Sequence, residues 1–287
     1  MTGVRAALAA GLALAALAAA PCADAFTVST AHGVIGFPVR VGPRSARCEL
    51  DTGASFTLLD ARLARALHLD TGPSERHEGA GAGGFAVAFA RGPVVLTLPD
   101  GSRDTCARAG VADLSGVRAA DGGAVDVVLG QDWIASHVLT LDYEGGRVRL
   151  HDPASFVPSA RATRVPLARE GAWRMVDVGV EAGPGGMITR RVLLDSGSED
   201  AVDDSLVLAD PAKRQTTTGV GLGAPTHGWL GHLRAVRFGD VVLHDVPSAW
   251  PGRALLGGAV LRRFRVTLDE PHDCLWLEPG AHVHDPF

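Results

Sequence analysis

From Phe26 onward the chain is a succession of short apolar or alternating runs broken by Gly, Pro and Asp. The segments "GFPVRVG", "FAVAFARGPVVLTLP", "RVRLHD", "MVDVGVEAG", "RRVLLD" and "HLRAVRFGDVVLHDV" all follow this pattern. A period of two puts successive side chains on opposite faces of a strand, so each run predicts a β-strand. Helical spacing is brief: Leu63 and Leu67 after Asp60, and the segments after two Leu-Gly pairs. The pattern predicts a mostly-β protein with a few short helices.

Three features occur twice in the same order. An apolar run ends in Asp51-Thr-Gly-Ala-Ser, and "RRVLLDSGSED" ends in Asp195-Ser-Gly-Ser. A glycine-rich stretch follows each, "GAGAGG" from Gly79 and "GVGLG" from Gly219. Then come "VVLGQDWIASHVLTLDY" and "ALLGGAVLRRFRVTLDE", each an apolar pair, a Gly and a short helix-like segment. Gly130 and Gly257 are 127 residues apart, as are Asp142 and Asp269, so the closing stretches align without a gap. Asp51 and Asp195 are 144 apart, which makes the second copy shorter in between. Such a period is too long for a solenoid, and two copies are too few for a propeller. Two similar lobes are expected, residues 26–155 and 156–287, joined around "HDPASFVPSARATRVP".

The start of the chain has a different character. Residues 1–25 read as a signal peptide: Arg5, the apolar run "AALAAGLALAALAAA", and a cleavage site Ala23-Asp24-Ala25. A transmembrane anchor is the rival reading, but the run is short and weakly apolar for spanning about 30 Å of hydrocarbon. Pro21 stands where a lipoprotein signal at Cys22 needs a small residue. The mature protein is therefore expected to be exported, periplasmic or secreted, and to contain no membrane span. Removal of this segment leaves Cys48, Cys106 and Cys274, read as buried thiols in preference to one disulfide plus a leftover. With 287 residues there is material for two cores, and a net charge of -5 without a Lys/Arg-rich run gives no footprint for nucleic acid.

These doubled motifs resemble the aspartic peptidases, both the retroviral-type (retropepsin-like) and the two-lobed pepsin-like forms. Asp51-Thr52-Gly53-Ala54-Ser55 and Asp195-Ser196-Gly197-Ser198 look like that family's two active-site loops. Val128-Leu129-Gly130-Gln131-Asp132-Trp133-Ile134 looks like the retropepsin segment after the flap, and Leu255 to Phe264 like its counterpart in pepsin's second lobe. The chain departs from pepsin in having too few residues before Asp51 for a basic propeptide. Its only tyrosine, Tyr143, also lies beyond the first Leu-Gly segment, away from any flap. The resemblance implies an all-β fold of two pseudo-symmetric lobes with an active-site cleft between them: one chain, expected to be monomeric, doing what a retroviral homodimer does. It also implies an endopeptidase acting on a peptide or protein substrate without cofactor or metal, with Asp51 and Asp195 as its catalytic pair. Thr52 and Ser196 would then hydrogen-bond across the lobe interface and fix both loops. The alternative is a duplicated β domain that binds extended peptides and does not cut them.

Peptide hydrolysis needs an activated water and a polarised carbonyl, and two adjacent carboxyls sharing one proton supply both. Gly53 and Gly197 are expected to let each loop turn tightly and bring its N–H groups near the carboxylates. One asymmetry is visible. Ser198 has a hydroxyl that could reach Asp195, whereas Ala54 offers Asp51 none. A hydrogen bond to the charged form lowers a pKa, so Asp195 is expected to be the ionised member and Asp51 the proton carrier. The glycines Gly79, Gly81, Gly83 and Gly84, with Gly219, Gly221 and Gly223, are candidate flap tips that close over a substrate. Gly79, Gly81 and Gly84 also match a dinucleotide fingerprint, but that motif needs a following helix, and "FAVAFARGPVVLTLP" reads as strand. No G-x-S-x-G elbow or H-E-x-x-H occurs, and His282 and His284 are read as solvated.

Overall fold

The alternating runs fold as strands in the computed structural model, which describes residues 25–287. In Ile35–Val41 the alternation is direct: Ile35, Phe37, Val39 and Val41 are buried while Pro38 and Arg40 face solvent. Gly42, with φ +56°, turns this strand into its antiparallel partner Arg44–Leu50, a backbone conformation a side chain would strain. The signal-peptide reading lies outside the described residues except at Ala25, which opens the strand Ala25–Thr27.

Three sheets result. Nine strands between Ile35 and Leu129 make one, and eight between Ala168 and Leu256 make another. Their centres are built alike. In the first, Val127–Leu129 runs parallel to Arg44–Leu50 and antiparallel to Leu58–Asp60. In the second, Leu255–Leu256 runs parallel to Ile188–Leu194 and antiparallel to Val202–Asp203. Each Asp-containing loop thus leaves the middle of its sheet beside a Leu-Gly strand. The Asp51 N–H donates to the Leu129 carbonyl at 3.0 Å, and that of Asp195 to Leu256 at 2.9 Å. The one-turn helices Gln131–Ile134 and Gly258–Leu261 follow at equivalent places.

The third sheet joins the halves in the order Ala25–Thr27, Arg147–His151, Val138–Asp142, Phe264–Asp269, Cys274–Pro279, Thr163–Pro166. At its centre Thr140 pairs with Thr267, their hydroxyls 2.8 Å apart. These two residues are themselves 127 apart, so the pseudo-two-fold axis passes between them. Apolar side chains from all three sheets merge into one buried cluster, including Leu50, Leu129, Leu194, Leu256 and Leu268. The duplicated all-β architecture expected from the sequence is the one observed. Cys48, Cys106 and Cys274 are free and buried. One helix, Ser115–Asp121, was not anticipated, because "SGVRAAD" is too short to display helical spacing.

Candidate active site

The two loops meet on the pseudo-two-fold axis. Thr52 N–H donates to Ser196 Oγ at 3.1 Å, and Ser196 N–H donates to Thr52 Oγ1 at 2.9 Å. Each hydroxyl passes its own proton onward across the interface, Thr52 Oγ1 to the Leu194 carbonyl at 2.7 Å and Ser196 Oγ to the Leu50 carbonyl at 3.0 Å. Thr52 and Ser196 are almost wholly buried, so water offers these groups no substitute partners and the four bonds lock loop to loop.

That lock brings Asp51 and Asp195 together. Their carboxyls face each other within interaction range, each raising the cost of charging the other. The reason for glycine at positions 53 and 197 is visible here. A Cβ on Gly53 would lie 2.6 Å from the Asp195 carboxyl carbon, and one on Gly197 would lie 2.4 Å from that of Asp51. Neither glycine has a positive φ, so tight turning is not the requirement; room for the opposite carboxyl is. The N–H groups do approach the carboxylates, as expected: Gly53 donates to Asp51 Oδ1 at 2.7 Å, and Gly197 to Asp195 Oδ1 at 3.1 Å.

The expected asymmetry is reversed. Ser198 Oγ turns away from Asp195 and toward Asp200, accepting its backbone N–H at 3.2 Å and lying 3.4 Å from its Oδ2. A carboxyl two residues along the same loop wins the hydroxyl. Asp51 Oδ1 accepts a second N–H, from Ala54 at 3.1 Å, so its charged form is the better solvated by the protein. Burial and then the charge of Asp51 push the Asp195 carboxyl well above the usual carboxylate range. Of the pair, Asp195 is the member whose environment favours protonation, and Asp51 the one whose charged form the loop solvates.

A second acid pair backs the second loop. Asp203, nearly buried, accepts the Ala249 N–H at 2.8 Å and is hydrogen-bonded to Asp200. Burial and the charge of Asp200 push Asp203 up to about 8. Because the folded value is raised, the stabilisation is complete below the ordinary aspartate range and is lost as pH rises through about 8. The protein is therefore expected to lose stability on the order of a few kcal/mol between about pH 4 and pH 8 through this group. Asp203→Asn, neutral throughout, should flatten that slope in urea melts taken across this range.

The glycine-rich tips also converge. Gly81 N–H donates to the Leu222 carbonyl at 2.9 Å, and Ala82 and Ala224 exchange two backbone hydrogen bonds at 2.8 and 2.9 Å. Gly79, Gly81, Gly219 and Gly223 form the crossing, where added Cβ atoms would press on the opposing backbone. Gly83 and Gly84 turn the first tip into its returning strand, and Gly221 sets its carbonyl against Gly116 of the unanticipated helix. Leu222 of the second tip packs onto a first-lobe cluster built on Leu58, Val87, Leu114 and Val128, which Phe56 and Phe89 also join. Phe56 lies five residues beyond Asp51, so this cluster links the second tip to the first lobe's active-site loop.

Two features of the site escaped the sequence reading. Asp60 and Asp204, each nine residues beyond its loop aspartate, cap the next helical turn and bind an arginine. Gln131 reaches the Thr52 carbonyl. The equal nine-residue offset was a usable signal for the first; nothing local marked the second.

Residues 37–133 match a family model described as aspartyl protease. No curated protein matches the sequence. Among solved structures, the crystal structure of basic 7S globulin from soybean aligns with a TM-score of 0.51 at 9% identity, covering 92% of this chain and 96% of that one. At that identity the likeness establishes the fold alone. The first lobe thus matches the aspartyl-protease family model over residues 37–133, and the chain as a whole has an aspartic-protease-like fold.

Proposed function

We propose that the protein is an exported aspartic endopeptidase that hydrolyses peptide bonds with a water activated between Asp51 and Asp195. The observation that carries this reading is the meeting of the two carboxyls on the axis, each packed against the glycine of the opposite loop. Two carboxylates so placed repel when both are ionised, so the pair shares one proton. Asp51, charged, takes a proton from the water as the oxygen attacks the scissile carbonyl carbon. Asp195, protonated, donates to the carbonyl oxygen and stabilises the charge that develops there. Collapse of the tetrahedral intermediate breaks the C–N bond, and the proton gained by Asp51 passes to the leaving nitrogen. The interlocked Thr52 and Ser196 hold both carboxyls in register through the cycle.

The tips exclude water once substrate is bound, and must part to admit it. A Cβ on Gly79 would lie 2.3 Å from the Leu222 carbonyl oxygen. Gly79→Ala is expected to prevent this closure, lowering kcat/KM by roughly tenfold to a hundredfold, with the thermal midpoint nearly unchanged because the contact is confined to the tips. A loss of activity that tracks loss of fold would count against the flap role.

Incubation of the purified protein with an unfolded protein substrate separates cleavage from mere binding. Fragments supporting a single turnover site support the endopeptidase; tight peptide binding without fragments at any pH from 3 to 8 would establish the non-cleaving alternative.

A further inference from the structure

Gln131 opens the one-turn helix after the first Leu-Gly pair and is 3% exposed. Its Nε2 donates to the Thr52 carbonyl at 3.0 Å. That carbonyl and the Gly53 N–H are the two ends of one peptide group, and the Gly53 N–H donates to Asp51 Oδ1 at 2.7 Å. A donor at the oxygen end fixes the peptide plane and polarises the nitrogen end, strengthening the bond it gives to the carboxylate. On its other side the Gln131 amide meets Glu270, which is fully buried and receives Arg174 Nε. Arg169 steadies the same turn by donating to the Glu270 carbonyl at 3.0 Å. A buried polar chain of Arg174, Glu270 and Gln131 therefore stands behind the peptide that solvates Asp51.

The second lobe lacks this device. The residue equivalent to Gln131, 127 positions on, is Gly258. A Cβ there would lie 2.4 Å from the Gly33 carbonyl oxygen and 2.8 Å from that of Ser198, leaving no space for a side chain. Correspondingly, the Gly197 N–H stands 3.1 Å from Asp195, longer than its counterpart. The chain is also a poor stability device. Gln131 Oε1 and Glu270 Oε1 are both buried with no hydrogen-bond partner, an arrangement that opposes folding. Its retention makes sense if it serves the loop.

We propose that Gln131, by fixing the peptide between Thr52 and Gly53, is a positioning residue that makes Asp51 the charged member of the carboxyl pair. The charged and titratable groups in play are Asp195 opposite Asp51, Asp200 beyond it, and Glu270, Arg174 and Arg169 around Gln131. The consequence for rate rests on the endopeptidase reading; the position of the proton does not.

The test is a titration of the full chain labelled with carbon-13 at the aspartate carboxyls, with Asp51 and Asp195 assigned from the signals lost in Asp51→Asn and Asp195→Asn. The expected result is that Asp51 titrates below Asp195, and that Gln131→Met raises the Asp51 midpoint by about half a unit to one unit. In cleavage assays the acid limb of kcat/KM should move upward by the same amount. A merely structural role would leave that limb in place. If Met does not pack there, Gln131→Ala asks the same question with a smaller side chain. An unchanged Asp51 midpoint in the variant, or Asp195 as the lower member in the parent protein, overturns the proposal. Absence of cleavage in the parent would overturn the endopeptidase reading alone, since the titration reads the proton directly.

Discussion

Asp51→Asn is expected to reduce peptide cleavage by about 10⁴-fold or more, and Asp195→Asn by a smaller factor, on the order of 10²- to 10³-fold. The difference follows from which carboxyl holds the proton. Asparagine at 51 removes the carboxylate that the Gly53 and Ala54 N–H groups solvate, and leaves as the only carboxyl on the axis Asp195, whose burial opposes its charged form. Asparagine at 195 replaces a neutral donor by another neutral donor: its amide can still polarise the scissile carbonyl, although it cannot exchange a proton. Parent kcat/KM should be bell-shaped, its acid limb set by ionisation of Asp51 and its alkaline limb by loss of the proton from Asp195, which burial and the Asp51 charge hold well above the usual range. Equal losses in the two variants would mean that the proton is not localised. The reverse order, with Asp195→Asn the more damaging, would restore the assignment that the sequence alone suggested.

Doubling of the Asp-Thr-Gly and Asp-Ser-Gly loops made the pair legible, because chemistry that needs two carboxyls on an axis needs one motif per lobe. The reciprocal bonds of Thr52 and Ser196 followed for the same reason. Ser198 was misjudged because its hydroxyl has two possible acceptors within reach, and only the loop's path decides that Asp200 receives it. The requirement at Gly53 was misjudged similarly: glycine is conspicuous in the sequence, but whether it serves a turn or an approaching carboxyl depends on a segment 144 residues away. The meeting of the glycine-rich tips through Ala82 and Ala224 was partly legible, since both stretches were flap candidates, while their direct contact rests on how the lobes are set about the axis. The central pairing of Thr140 with Thr267 was latent in the shared 127-residue offset, because residues on a two-fold axis pair with their own equivalents.

Asp60→Ala is expected to destabilise the protein by about 3–5 kcal/mol at neutral pH, and Asp204→Ala by distinctly less. Asp60 is 1% exposed and serves both lobe construction and helix capping. Its Oδ1 accepts the Arg62 N–H at 2.8 Å, capping the helix Ala61–Ala66, and its Oδ2 accepts the Leu114 N–H at 3.2 Å and Arg118 Nη1. Removing the carboxyl leaves the Arg118 guanidinium, whose side chain is 17% exposed, with only the Val125 carbonyl at 3.3 Å and the more distant Asp113 carboxylate in a poorly solvated place. Asp204 does the equivalent work in the second lobe, capping Ser205–Ala209 and binding Arg190. The Arg190 side chain is 37% exposed, however, so water can solvate it when the partner is lost. The same geometry fixes a pH signature. Burial acts to raise the Asp60 carboxyl, but Arg118, Arg62 and two backbone N–H groups outweigh it and bring it down to about 2. A depressed folded value means that the contribution is present above the ordinary aspartate range and disappears as pH falls through about 2. The gap between parent and Asp60→Asn in urea unfolding should accordingly be constant from pH 7 to about pH 5 and shrink from about pH 4 downward. A gap that stays constant into acid would mean that Asp60 acts only as a cap and that Arg118 takes no benefit from its charge.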